Sequence, residues 1–189
     1  MDTEITVQVD GVPRRLTVDT RSTLLDVLRE RLAVTSVKKG CDHGQCGACT
    51  VLSGGRRVLS CLVLAVTQDG AQVVTAEGLA SLAAADDGQL GDDLHPMQRA
   101  FIDCDAFQCG YCTPGQVVSA VGMLDEFARG WPSAVTGGTG APRLDHAEVA
   151  ERMSGNLCRC GAYVNIVSAV HQAAEASSAQ RTAGTESAG

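Results

Sequence analysis

The sequence predicts an α+β protein in two parts, strands with a single helix in the first half and helices alone in the second. Three observations carry this. Apolar residues alternate with polar ones at Ile5, Val7 and Val9, the period of a half-buried strand. Past residue 95 the apolar spacing becomes helical, as in Val117, Val121 and Leu124. The 9 cysteines among 189 residues form one set of four in each half, with one left over.

The elements follow in order. Ile5 to Val9, the Asp10-Gly11 turn and Leu16 to Val18 read as a hairpin. Thr23 offers an N-cap with Asp26 three residues on, close to a capping box, and Leu25, Leu28 and Leu32 form one stripe of the helix that follows. A glycine-rich loop runs from Lys39 to Cys49. Thr50 to Leu52, Gly54-Gly55 and Val58 to Leu62 read as a second hairpin, and Val73 to Thr75 as a last short strand. Residues 81–93 turn to Ala, Asp and Gly and read as a linker between domains at 1–80 and 94–175. Pro96 at a first helical position opens a helix toward Ala106, and Thr113-Pro114 opens the next. Pro132 to Pro142 is a Gly/Pro/Thr loop. Asp145 with Glu148 caps a short helix ending near Ser154. A last helix from about Ala162 carries Tyr163, Ile166, Val167, Val170 and Ala174 on one face, and residues 176–189 read as a disordered tail. Helices flank a cysteine pair at 96–128 and again at 146–175; two such hairpins make a four-helix bundle with the pairs facing each other.

Composition narrows the function. A net charge of −7 argues against nucleic acid and anionic membrane as partners. No apolar run approaches the ~20 residues of a membrane-spanning helix. Met1 to Val9 lacks the basic and apolar segments of a secretion signal, so the expected location is cytoplasmic, where cysteines serve as ligands rather than bridges. No Ser-His-Asp or His-Glu-His motif and no phosphate-cradling GxGxxG occurs, so no catalytic residue is assigned.

The first set is Cys41, Cys46, Cys49 and Cys61, spaced C-x4-C-x2-C with the fourth after 11 intervening residues. This is the plant-type spacing for a 2Fe–2S cluster, whose potential would start near roughly −400 mV. Four thiolates and two sulfides leave such a cluster anionic, so the loop must aim N–H groups at sulfur. Gly40, Gly44 and Gly47 are expected to allow that through positive φ and close approach. A Rieske centre finds a first half in Cys41-x-His43 but no C-x2-H. A four-cysteine zinc site is the stronger rival. His43 reads as a solvent-edge hydrogen-bonding residue.

The second set is Cys109, Cys112, Cys158 and Cys160, as C-x2-C and C-x-C about fifty residues apart. Cys109-Gly110-Tyr111-Cys112 alone suits a thiol–disulfide motif, but a helical pattern precedes it where that reading needs a strand. Each pair lies just before a helix N-terminus, where partial positive charge suits an anionic cluster. Cys104 is left as a small buried thiol. Arg159 either balances cluster charge or is exposed. Lys38-Lys39 and Arg56-Arg57 read as solvated, with Lys38-Lys39 also placed to dock a partner. The six aromatics, all after residue 100, read as core.

Four motifs now stand in order: Gly40-Cys41-Asp42-His43-Gly44-Gln45-Cys46-Gly47-Ala48-Cys49-Thr50, His95-Pro96-Met97-Gln98, Gln108-Cys109-Gly110-Tyr111-Cys112-Thr113-Pro114-Gly115 and Gly155-Asn156-Leu157-Cys158-Arg159-Cys160. With them the chain resembles the iron–sulfur (small) subunit of the xanthine dehydrogenase/aldehyde oxidase family of molybdenum hydroxylases, over about residues 3 to 175. Gly161-Ala162-Tyr163 stands where Thr-Gly-Tyr is more usual, and in this it looks most similar to the bacterial aldehyde oxidoreductase small subunits. The loop from Pro132 to Arg143 is longer than the family pattern.

The resemblance implies a β-grasp, plant-type ferredoxin-like domain holding one cluster and a four-helix bundle holding the other. It implies a large partner subunit with the molybdenum–pterin cofactor and a medium partner with FAD, in a heterotrimer. Electrons pass from the pterin to the helical-domain cluster, then to the ferredoxin-like cluster, then to FAD. Gln108 and Cys160 match family positions beside the pterin. Aldehydes are the expected substrates, with purines, N-heterocycles and acyl-CoA esters as alternatives. Two other functions compete: a stand-alone 2Fe–2S electron carrier, which needs only one cluster and no helical half, and a zinc-stabilised interaction module.

Overall fold

The computed structural model describes residues 1–81, 94–138 and 140–186. The linker expected at 81–93 lies, from 82 on, outside the described residues. The architecture is α+β. Strands β1 (Asp2–Val9), β2 (Val12–Asp19), β3 (Thr50–Ser53), β4 (Arg56–Leu59) and β5 (Gln72–Val74) form one sheet in the order β2-β1-β5-β3-β4. Only β1 and β5 run parallel. The Asp10-Gly11 turn joins β1 to β2 with both residues at positive φ, 50° and 81°, as a two-residue hairpin loop requires. Ile5, Val7 and Val9 are buried, so the alternation aims one face inward.

Helix α1 (Leu24–Asp26) starts on the Thr23 hydroxyl, which accepts from Asp26 N–H at 3.1 Å. The helix then widens into a π-helical turn over Val27–Arg31, closed by Leu32 N–H donating to Val27 O at 3.1 Å. The expected stripe shifts accordingly: Leu24, Leu25, Val27 and Leu28 are buried, whereas Leu32 packs only partly. The core beneath holds Val7, Val51, Val73, Leu25 and Leu28 together with Cys49 and Cys61. The strand expected to reach Leu62 ends at Leu59. Ser60–Leu62 forms a 3₁₀ turn instead, with Ser60 Oγ donating to Cys49 O at 2.8 Å, and this turn swings Cys61 inward.

Among the described residues from 94 on, four helices follow: α2 (Pro96–Asp103), α3 (Thr113–Ala128), α4 (His146–Arg152) and α5 (Tyr163–Glu186). A His95 cap opens α2: its Nδ1 accepts from Met97 N–H at 3.0 Å while Gln98 Oε1 accepts from His95 N–H at 2.8 Å. Cys112, rather than Thr113, is the residue ahead of α3. Asp145 caps α4 through Glu148 N–H at 3.0 Å. Phe101, Met97, Met123, Val149, Ile166 and Val170 close the helical core, which also takes in Leu52 of β3.

The tail expected to be disordered from 176 is helical through Glu186. Its Ser, Thr and Gly residues are weak helix formers, so the segment is helical as an extension of an already nucleated helix, where adding a residue costs less than starting one. The aromatics divide. Phe101 is core, but Phe107, Tyr111, Trp131 and Tyr163 are exposed. Each of these four lies on a loop or a helix end, where a helical face no longer determines burial.

The loop after α3 is fastened to α4. Thr136 Oγ1 donates to Glu148 at 2.9 Å, Glu148 pairs with Arg152 at 2.7 Å with both side chains buried, and Arg152 Nη2 donates to Trp131 O. Arg57 also departs from the solvated reading. Its guanidinium reaches from β4 to α3, donating to both carboxylate oxygens of Glu126 at 2.9 and 2.6 Å and to Ser119 Oγ at 3.0 Å. Such a bidentate, half-buried pair fixes orientation as well as attraction. Gly122 is what admits it, because a Cβ there would stand 2.5 Å from Arg57 Cγ.

Candidate metal centres

The first site is a loop folded around sulfur. Gln45 N–H donates to Cys41 Sγ at 3.2 Å, His43 N–H to the same atom at 3.5 Å, and Cys41 N–H to Cys46 Sγ at 3.4 Å. The turns that aim these groups need unusual backbone. Asp42, Gly44 and Gly47 have φ of 59°, 79° and 72°. Gly40 does not share the positive φ expected of it. Its lack of a side chain serves space instead, since a Cβ there would lie 2.8 Å from Cys46 Sγ.

Electrostatics follow the hydrogen bonds. The N–H of His43, then those of Gln45 and Cys46, outweigh burial and bring the Cys41 thiol down to about 6. Burial first, and Cys49 beside it second, push Cys61 up to about 11 against the opposing N–H of Gly44. Two side-chain contacts are present, Cys41 with Cys46 and Cys49 with Cys61. Among the described residues no three Cys, His, Asp or Glu side chains gather about one point. Such pairs would suit a two-iron cluster, in which each iron takes two thiolates. His43 is exposed with Nδ1 2.6 Å from Cys41 O, directed at backbone and away from the sulfurs. Lys39 is engaged by Asp26 at 2.8 Å and Asp42 at 3.3 Å at the surface.

The second site is assembled from two distant segments. Burial, then the neighbouring Cys158, pushes Cys112 up to about 12. Cys158 is itself buried, yet N–H groups of Ala162, Cys160 and Gly161 outweigh the burial and hold it below the ordinary thiol value. Cys109 stands close enough to Cys112 to raise it further, and is exposed. The second segment is shaped by Tyr163, whose hydroxyl accepts from Cys158 N–H at 2.8 Å, and by Gly161 at φ 75°. Gln108 Nε2 donates to Cys160 O at 3.3 Å, so the two residues matched to the pterin side do meet. Arg159 is exposed. Cys104 lies apart, its thiol donating to Gln172 Oε1 at 3.2 Å beside the helical core.

The two sites meet along the seam between sheet and helices. Leu157 N–H donates to Cys46 O at 2.9 Å, and Tyr111 Oη to Lys39 O at 2.7 Å. The first turn of α3 presses on the first loop so closely that a Cβ at Gly115 would stand 2.6 Å from Gly47 O. Sequence reasoning missed the residues that make this seam, Asn156, Tyr111 and Arg57. Asn156 bonds to Gly47 across 109 positions, and no local pattern signals a partner so remote.

Comparison with known proteins agrees with this division. Residues 7–73 match the 2Fe-2S iron-sulfur cluster binding domain family, and residues 75–171 match the [2Fe-2S] binding domain family. The aldehyde oxidoreductase iron-sulfur-binding subunit PaoA of Escherichia coli strain K12 is 55% identical over 171 residues, 90% of this chain and 71% of that protein. The nicotine 6-hydroxylase small subunit of Paenarthrobacter nicotinovorans is 42% identical over 88% of this chain and 87% of that one. The crystal structure of quinoline 2-oxidoreductase from Pseudomonas putida 86 superposes with a TM-score of 0.74 at 36% identity, covering 93% of this chain and 95% of that chain. In the aldehyde oxidoreductase of Desulfovibrio gigas the same fold, at a TM-score of 0.75 and 35% identity, covers 94% of this chain but 17% of a much longer one. The chain thus belongs to the iron–sulfur small subunits of the xanthine dehydrogenase/aldehyde oxidase family of molybdenum hydroxylases, and its work is electron transfer through two 2Fe–2S clusters.

Proposed function

We propose that this chain conducts electrons from a molybdenum–pterin site on a large partner subunit to FAD on a medium partner, in a heterotrimer. Cys41, Cys46, Cys49 and Cys61 hold one cluster, and Cys109, Cys112, Cys158 and Cys160 hold the other. The observation that carries the reading is the seam, where Leu157, one residue from Cys158, donates to the carbonyl of Cys46 at 2.9 Å. Two sulfur sets joined through one backbone hydrogen bond suit a relay, whereas a stand-alone carrier has no use for the second.

When bound, each cluster supplies one-electron steps. The chain's own residues set the surroundings. N–H groups of His43 and Gln45 favour negative charge at Cys41, and burial of Cys49, Cys61 and Cys158 keeps water from sulfur. Gln108 and Cys160 form the contact toward the pterin. The N-terminal sheet is the β-grasp variant of the ferredoxin-like fold, and α2 to α5 pack as a four-helix bundle about the second set. Aldehydes are the proposed substrate class, supported by the 55% identity to PaoA, with selectivity residing on the large subunit. We place the complex in the cytoplasm. No helix among the described residues is long and apolar enough to cross a membrane.

Anaerobic purification tests the reading. It predicts about four irons and four sulfides per chain, with two larger chains co-purifying. Half that iron, or colourless protein with stoichiometric zinc, contradicts it.

A further inference from the structure

Asn156 is buried, at 6% exposure, in the seam between the two cysteine sets. Its Nδ2 lies 2.9 Å from Gly47 O, 3.2 Å from Thr50 Oγ1 and 3.2 Å from Gly115 O. All three neighbours are oxygens, so the amide nitrogen must face them. Thr50 is committed as well, its hydroxyl donating to Gly47 O at 2.7 Å. Gly47 separates Cys46 from Cys49 in the first loop, and Gly115 sits in the first turn of α3, directly after Cys112. Asn156 itself stands two residues before Cys158. One carboxamide thus ties together both segments of the second set and the loop of the first.

The fit leaves no slack. A Cβ at Gly47 would come within 2.7 Å of Asn156 Nδ2. The Asn156 carbonyl is held in turn by Gln116 Nε2 at 2.8 Å, from another buried side chain. Without that donor Gly47 O keeps only Thr50, through its N–H at 3.1 Å and its hydroxyl at 2.7 Å, and every bond that the carboxamide makes to the first loop and to Gly115 O is lost, which frees the two loops to move apart.

We propose that Asn156 is a positioning residue that fixes the separation of the two clusters and so governs electron transfer between them. This rests on the reading that both sets hold clusters, and the test keeps the two apart. Electron tunnelling and spin coupling both fall steeply with distance, so a loosened seam registers in each. Full-length wild type, Asn156→Ala and Asn156→Asp are loaded with iron and sulfide, reduced with dithionite, and compared by electron paramagnetic resonance. Asn156→Asp fills the same space but cannot donate when ionised.

Both variants are expected to keep two clusters and show altered spin–spin splitting between them. Electron equilibration between the two should slow in the same variants that show the altered splitting. Unchanged splitting and unchanged equilibration in both variants would overturn the proposal while leaving the relay intact. Loss of a cluster from both variants would overturn it too, since Asn156 would then be building one loop and not spacing two. A wild type that carries a single cluster would instead overturn the relay itself.

Discussion

The two cysteine sets meet the same demand, to surround an anionic cluster, by different means. Cys41, Cys46 and Cys49 lie in one loop that supplies its own N–H donors, with turns made by Gly44 and Gly47. Cys112 and Cys158 come from separate segments, and the N–H donors of Cys158 arise only where the chain turns into α5. The thiols register the contrast: Cys41 is drawn down to about 6 and Cys112 pushed up to about 12. A site with three of its four cysteines in one loop is expected to survive damage to the helical core better than a site that this core assembles.

The largest expected effect breaks this comparison at the core. Phe101→Ala empties the centre of the helical core and should cost about 3–5 kcal/mol. Iron analysis with thermal melting should show the second cluster lost before the first, and simultaneous loss would refute the contrast.

Next comes the buried Glu148–Arg152 pair within α4. Burial raises the Glu148 carboxyl, but hydrogen bonds from Arg152, Ser133 and Thr136 prevail and hold it below the ordinary 4.5. A depressed folded value means the stabilisation is present above the unfolded value and is lost as pH falls through the folded one. Acid titration should therefore release the 131–143 loop below pH ~4.5, read at Trp131 by fluorescence. Glu148→Gln should remove that acid step and cost about 3 kcal/mol by leaving Arg152 buried without its partner.

Glycine substitutions sharpen the comparison further. Gly47→Ala meets a positive φ of 72° and Gly155 O at 2.4 Å, so it should cost about 2–4 kcal/mol and disturb both sites. Gly110→Ala, at φ 78° with nothing within 4 Å, should cost only about 1–2 kcal/mol and leave the first site's spectrum unchanged. Smallest of all is Cys104→Ala. It removes one hydrogen bond to Gln172 and should shift stability by about 1 kcal/mol with full iron retained.

Much of this is legible in the sequence, for local reasons. β1 shows itself by alternation, its turn by Asp10-Gly11, and α4 by the Asp145 cap. The first cysteine set is readable because three of its members and their glycines share one loop. What is not legible depends on distant partners. Arg57 looks like any surface arginine until α3 brings Glu126 to it, and Asn156 gives no sign of Gly47. The π-helical turn after Asp26 and the 3₁₀ turn that carries Cys61 arise from packing over the sheet, which periodicity does not record. The tail past 176 continues an established helix despite its Ser, Thr and Gly, because propagation costs less than nucleation, a contribution that composition alone hides.

Electron paramagnetic resonance of the fully loaded, dithionite-reduced chain tests the central claim most directly. The account predicts two distinct 2Fe–2S signals of equal spin count, with Cys49→Ser abolishing one and Cys158→Ser the other. A single signal from fully loaded protein, or one substitution removing both, would contradict it.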